Sequence, residues 1–176
     1  MKQSENIMSM LNEARFLKNS LGKPKQSIAV CDKILKIDSS CRDAMLIKAG
    51  ALNEMFLLDK AGELINQIVE KWPAHWEGYY LLALNCFSKK EDEEGLKSID
   101  KSIELNENFD NLITKAQMLY LLGKGEYMDY VEKVKKIDKK RAENFIKNHF
   151  VYDLNAVKPT LPELFNAMKY LIKRKK

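Results

Sequence analysis

Apolar residues recur along this chain at helical spacing, and no segment alternates in the manner of a half-buried strand. In DAMLIKAGALNEM, residues 43–55, Met45, Ala49 and Leu52 stand four and three apart and share one helical face. The arrangement returns at Tyr79, Ala83 and Cys86, and again at Leu112, Ala116 and Leu119. A more divergent copy is Met10, Ala14 and Leu17. The segments between these helices repeat too. QSIAVCDKILKID (26–38), KAGELINQIVEKW (60–72) and EGLKSIDKSIELN (94–106) align without a gap. Their columns are Ser27, Ala61, Gly95; Cys31, Ile65, Ile99; Ile34, Ile68, Ser102; and Leu35, Val69, Ile103. These too predict amphipathic helices.

The period is about 34 residues, the length of one helix–turn–helix unit. Expected turns lie at Gly22, at Leu57-Leu58-Asp59, at Lys90–Glu93 and at Gly123-Lys-Gly125. The acidic run Glu91–Glu94 opens a helix, where carboxylates complement the positive end of the dipole. The column Ser27, Ala61, Gly95 is small because two helices approach closely only where one lacks a bulky side chain.

With small residues in two registered columns, the chain resembles the tetratricopeptide-repeat family. Ala14, Ala49, Ala83 and Ala116 match the family's eighth position; Ser27, Ala61 and Gly95 match the twentieth. Ser102 alone fits the twenty-seventh, and Pro73 alone the proline near the end of the unit. The family's early tryptophan is replaced by Met10, Met45, Tyr79 and Leu112. The resemblance implies an all-α solenoid of antiparallel helix pairs, wound as a right-handed superhelix. It divides residues 1–138 into repeats near 5–38, 41–72, 75–106 and 109–138. The fourth is degenerate, with Tyr127 in the small-residue place before Val131, Val134 and Ile137. Residues 139–176 are left for C-terminal capping helices and a basic tail. Such a chain is expected to be a scaffold for protein–protein interaction.

Within the tail, 139–150 reads as a helix with Ala142, Phe145, Ile146 and His149/Phe150 on one side. Thr160, Pro162 and Glu163 then open a last helix with a capping box, carrying Leu161, Leu164, Phe165, Met168, Leu171 and Ile172 as one stripe. That stripe has three destinations: the end of the solenoid, its concave groove, or a second chain, including self-association.

Composition narrows the function. Hydrophobic residues make up 45% and charged residues 31%, with only 7 Gly and 4 Pro, which suits a helix-rich soluble protein. The net charge of +5 is concentrated in the last eight residues, a solvated tail rather than the basic face of a nucleic-acid binder. An RNA- or ribosome-associated adaptor using that tail stands as the alternative. The N-terminus lacks the apolar core of a signal peptide, and no run is long and apolar enough to cross a membrane. Cys31, Cys41 and Cys86 have neither metal-ligand nor redox spacing, which points to free thiols in the cytoplasm.

No catalytic constellation, metal site or cofactor site is expected. His75 and His149 have no ligand or relay partner at a useful spacing, and Gly123-Lys-Gly125 is too short for a phosphate loop. Trp72 and Trp76 read as packing between repeats, with a surface patch as the other possibility.

The resemblance places the first helix of each pair on the inside of the curve. The expected partner-binding positions are Arg15, Leu46, Gly50, Asn53, Tyr80, Leu84, Phe87, Ile113, Gln117 and Tyr120. Their apolar and aromatic middle suits a peptide with apolar anchors. An acidic C-terminal chaperone tail is excluded: Leu11 and Arg15, Ile47, then Glu77 and Leu81 stand where the family's carboxylate clamp belongs, and Glu77 repels a terminal carboxylate.

Overall fold

The computed structural model describes residues 2–149. The helices are α1 Lys2–Asn19, α2 Pro24–Ile37, α3 Arg42–Glu54, α4 Leu58–Lys71, α5 Trp76–Ser88, α6 Asp92–Leu105, α7 Phe109–Leu121, α8 Tyr127–Ile137 and α9 Lys139–His149. No strand occurs among the described residues. The expected helix at Thr160–Glu163, its apolar stripe and the basic tail lie outside them. The chain divides into two compact units, Met1–Ser98 and Ile99–Lys176.

In the first unit each helix from α1 to α4 packs against its successor, and α3 also touches α1 and α5. Helices α1, α3 and α5 of this unit therefore form one layer. Two apolar clusters hold this unit together. Leu11, Ala14, Val30, Cys31, Ile34, Ala44 and Ile47 form one, while Met45, Ala49, Leu52, Ala61, Ile65 and Ile68 form the other. Trp72 packs against the second cluster. Full burial of a side chain such as Ile34 or Ile65 contributes about 1.5–3 kcal/mol.

The alanine and small-residue columns meet where the helices cross. Ser27 is fully buried, and its hydroxyl donates to the Ala14 carbonyl at 2.9 Å. A Cβ on Gly95 would lie 3.3 Å from both the Ala83 carbonyl oxygen and the Phe87 nitrogen. At Gly78 it would meet Val69 and Ile68 methyls at 3.1 and 3.2 Å, so α5 crosses α4 without room for a side chain.

The turns share one construction. Leu57, Glu91 and Lys124 each donate a backbone bond five residues back, to Leu52, Cys86 and Leu119, at 2.9–3.0 Å. The preceding residues, Phe56, Lys90 and Gly123, have φ of 56°, 65° and 68° and bond three residues back. This is the Schellman ending, in which a left-handed residue closes the helix. Gly22 has the same conformation, with φ 59°. The second turn is centred on Phe56, not on Leu57–Asp59: the left-handed residue that ends α3 is a phenylalanine, which carries no turn signal in sequence.

In the second unit, α8 packs on α7 and α9 on α8. Leu112, Val131, Val134, Ala116 and Ala142 are fully or nearly fully buried. Tyr127, in the small-residue place, is only 5% exposed and meets Tyr120 edge-on at 5.3 Å. Asn111 occupies the column of Ala44 and Gly78. It is fully buried, its amide donating to the Ser102 and Asn106 carbonyls at 3.3 and 2.8 Å. Asn108 caps α7 by accepting from the Asn111 backbone N–H at 3.0 Å.

Candidate partner-binding face

The layer formed by α1, α3 and α5 presents one face of each helix. Leu46, Gly50 and Asn53 share a side of α3 because three- and four-residue steps return to the same direction. Tyr80, Leu84 and Phe87 do the same on α5. The polar residues at the edges of this face bind one another across helices. Arg15 on α1 pairs with Asp43 on α3 at 2.5 Å, and Lys18 pairs with Glu54 at 2.9 Å.

Asn53 is bonded on both sides of its amide. Its NH₂ group donates to the Leu81 carbonyl at 3.3 Å, and its oxygen accepts from Asn85 at 2.8 Å. Asn85 is 2% exposed and also donates to the Leu58 carbonyl at 2.8 Å, tying α5 to the start of α4. A Cβ on Gly62 would stand 3.2 Å from the Asn85 oxygen, so the glycine admits this amide. Sequence reasoning missed Asn85; the signal was a lone amide in the apolar helix WEGYYLLALNCFS.

Between these edges lies the apolar strip. Leu46, Tyr80, Leu84 and Phe87 are half-buried. Leu46 leans on the second core cluster, and Tyr80 meets Trp76 edge-on at 6.1 Å. Trp76 thus adds an aromatic one turn before Tyr80 that was not among the expected positions. Gly50 is buried beneath this strip: the nearest atoms to a Cβ there are those of the Leu81 and Lys18 side chains, at 3.7 and 3.8 Å.

At the amino-terminal edge, the Arg42 guanidinium lies 2.7 Å from the His75 ring nitrogens, and His75 Nδ1 lies 4.0 Å from Glu77. Arg42 also approaches Asp43 at 3.7 Å. His75 therefore accepts from Arg42 and links α3 to the start of α5. Among the described residues no group of three His, Cys, Asp or Glu side chains is arranged to hold a metal.

The second unit treats its expected positions differently. Ile113 is 4% and Tyr120 2% exposed, and Gln117 is half-buried. Tyr120 spends its ring on Tyr127, which leaves Gln117 as the accessible one of the three. Asp110, the counterpart of Asp43, pairs with Arg141 on α9, whose guanidinium also covers the Phe109 ring at 4.0 Å.

The ionisable groups with displaced pKa values belong to the framework. Burial, with help from the neighbouring Asp32 charge, pushes the Cys31 thiol up to about 11. Burial and a hydrogen bond to Glu91 push Cys86 up to about 11. Burial pulls the Lys115 ammonium down, but bonds to Asp100 and Tyr130 overcome it and leave the group above its ordinary value. No helix among the described residues is long and apolar enough to cross a membrane.

No protein-family model matches the chain, and no curated protein does. Solved structures do. TTC0263, described as a thermophilic TPR protein in Thermus thermophilus, superposes with a TM-score of 0.70 at 14% identity. The match covers 96% of this chain and 98% of that one. YrrB, described as a TPR protein with an unusual peptide-binding site, gives 0.57 at 17% identity over 99% and 89% of the two chains. MamA 41-end from Desulfovibrio magneticus RS-1 gives 0.55 at 22% identity over 81% and 72%.

Proposed function

We infer, from a chain that has the all-α fold of tetratricopeptide-repeat solenoids, that it is a non-catalytic adaptor holding a peptide or protein segment on the α1/α3/α5 face. The observation that carries this reading is the half-exposed strip of Leu46, Tyr80, Leu84 and Phe87, flanked by polar residues already bonded across helices. Aromatic and aliphatic side chains on rigid helices supply contact area at small entropic cost. The pairs Arg15–Asp43 and Lys18–Glu54 satisfy the polar edges within the fold and leave the strip to discriminate among ligands. Arg15 and Asn53 act here as supports, and Gly50 is buried beneath Leu81 and Lys18, so it supports the face rather than touching a ligand.

Free Cys31, Cys41 and Cys86 support a reducing compartment such as the cytoplasm. The basic tail that motivates an RNA-binding alternative lies outside the described residues, and no observation favours it.

The test compares the native protein with a Tyr80→Ala, Leu84→Ala double variant as bait for its interaction partners. Loss of the captured partner at unchanged helicity supports the face. Capture at full yield by the double variant overturns it.

A further inference from the structure

A second surface emerges when two repeats of the same chain are compared. On α3, Lys48 and Leu52 point to the side opposite Leu46, Gly50 and Asn53, and Met55 follows them at the helix's C-terminal cap. With Ile28 and Asp32 on α2 and Leu64 on α4, they line a cleft of about 520 Å³ in the first unit. Its floor is apolar. Across it Lys48 pairs with Asp32 at 2.6 Å. None of the residues proposed for the inner face takes part in this cleft.

The second unit contains the counterpart of that pair. Lys115 on α7 stands in the Lys48 column, Asp100 on α6 in the Asp32 column, and the two are hydrogen-bonded. The residue in the Leu64 column is Tyr130 on α8, one before Val131 as Leu64 is one before Ile65. Its ring fills the space beside the lysine: Lys115 Nζ lies 4.8 Å from the ring centroid and Lys133 Nζ 5.4 Å. An aromatic ring thus occupies in one repeat the place that Leu64 leaves short in the other. The chemistry is cation–π, with the ammonium already oriented by its aspartate.

The rim of the open cleft adds a preference. Lys25 and Lys60 border it and carry no ion pair among the described residues; Glu63 is the acidic residue on the same rim. Lys48 is engaged with Asp32, so the rim charge that remains is net positive.

We propose that the α2/α3/α4 cleft receives an aromatic side chain of a peptide partner, flanked by acidic residues, which stacks against Lys48 as Tyr130 stacks against Lys115. The ring covers Leu52 and Leu64, and the flanking carboxylates meet Lys25 and Lys60. This docking mode is separate from the inner face, and either stands if the other fails.

The test titrates the full chain, labelled for amide NMR, with acetyl-Glu-Tyr-Glu-amide and with acetyl-Glu-Leu-Glu-amide. The tyrosine peptide should shift amides of α2, α3 and α4 around Lys25, Lys48 and Leu64 and bind at least about threefold more tightly than the leucine peptide. Leu64→Tyr, which supplies the ring from within, should abolish those shifts while helicity is retained. Lys48→Met should weaken binding about threefold to tenfold without closing the cleft, which keeps the test decisive if Leu64→Tyr fails to fold. No shift at millimolar peptide, equal binding of the two peptides, or shifts confined to the Tyr80 face would each overturn the proposal.

Discussion

Lys115 on α7 reaches back to the carboxylate of Asp100 on α6. The same relation joins Lys48 on α3 to Asp32 on α2. The two lysines differ in exposure, with 11% of the Lys115 side chain and 28% of that of Lys48 open to solvent. Lys115→Met should therefore destabilise the protein by about 1–2 kcal/mol, since it removes a largely buried partner and the Tyr130 contact. Lys48→Met should cost less than about 1 kcal/mol. Urea denaturation of both variants checks the order.

Phe56 and Lys90 occupy left-handed positions where Gly22 and Gly123 stand in the other turns. Lys90→Gly should stabilise the protein by about 0.5–1 kcal/mol, because glycine adopts this conformation without the Cβ clash. The gain from Phe56→Gly should be smaller, since the ring is only 37% exposed and some burial is lost. Thermal melts of the two variants would measure both effects.

The two kinds of glycine should separate cleanly. Gly95→Ala sets a Cβ 3.3 Å from backbone atoms of α5, which cannot move aside singly. It should cost about 1–3 kcal/mol despite the better helix propensity of alanine. Gly50→Ala meets only side-chain atoms at 3.7–3.8 Å and should be neutral or stabilising by up to about 1 kcal/mol. Equal destabilisation of both would contradict the close crossing at Gly95.

The repeat register was legible in sequence because close crossings restrict a column to small residues, and Ala14, Ser27, Ala83 and Gly95 announce themselves. The echo of DAMLIKAGALNEM at 110–122 was legible too, but not its cause. Asp43 and Asp110 each take an arginine from another helix, Arg15 and Arg141. Lys48 and Lys115 each take an aspartate. Periodicity reports which side of a helix a residue faces, not what stands opposite it. For that reason Arg15 and Asn53 looked like ligand contacts and are bonded within the fold. Tyr120 looked open, yet its ring meets Tyr127, where the repeat pattern asks for a small residue.

The thiols give a pH and reactivity prediction. Cys31 and Cys86 are raised to about 11 from an ordinary value of 9.0. A raised thiol pKa favours the protonated form in the fold. Its contribution is complete below about pH 9 and is lost as pH rises toward 11, because the unfolded chain ionises first. Stability should fall across that window. At pH 8 a thiol reagent should modify half-buried Cys41 rapidly, and Cys31 and Cys86 only after denaturation. Rapid modification of all three in the native protein would contradict their burial.

The central claim is that the α1/α3/α5 face holds the partner, and site-specific photo-crosslinking tests it most directly. A benzophenone amino acid placed at Tyr80 is predicted to capture the partner in a discrete adduct, while the same group at exposed Glu104 on α6, outside both proposed surfaces, gives none. An adduct at Glu104 with none at Tyr80 would contradict the account.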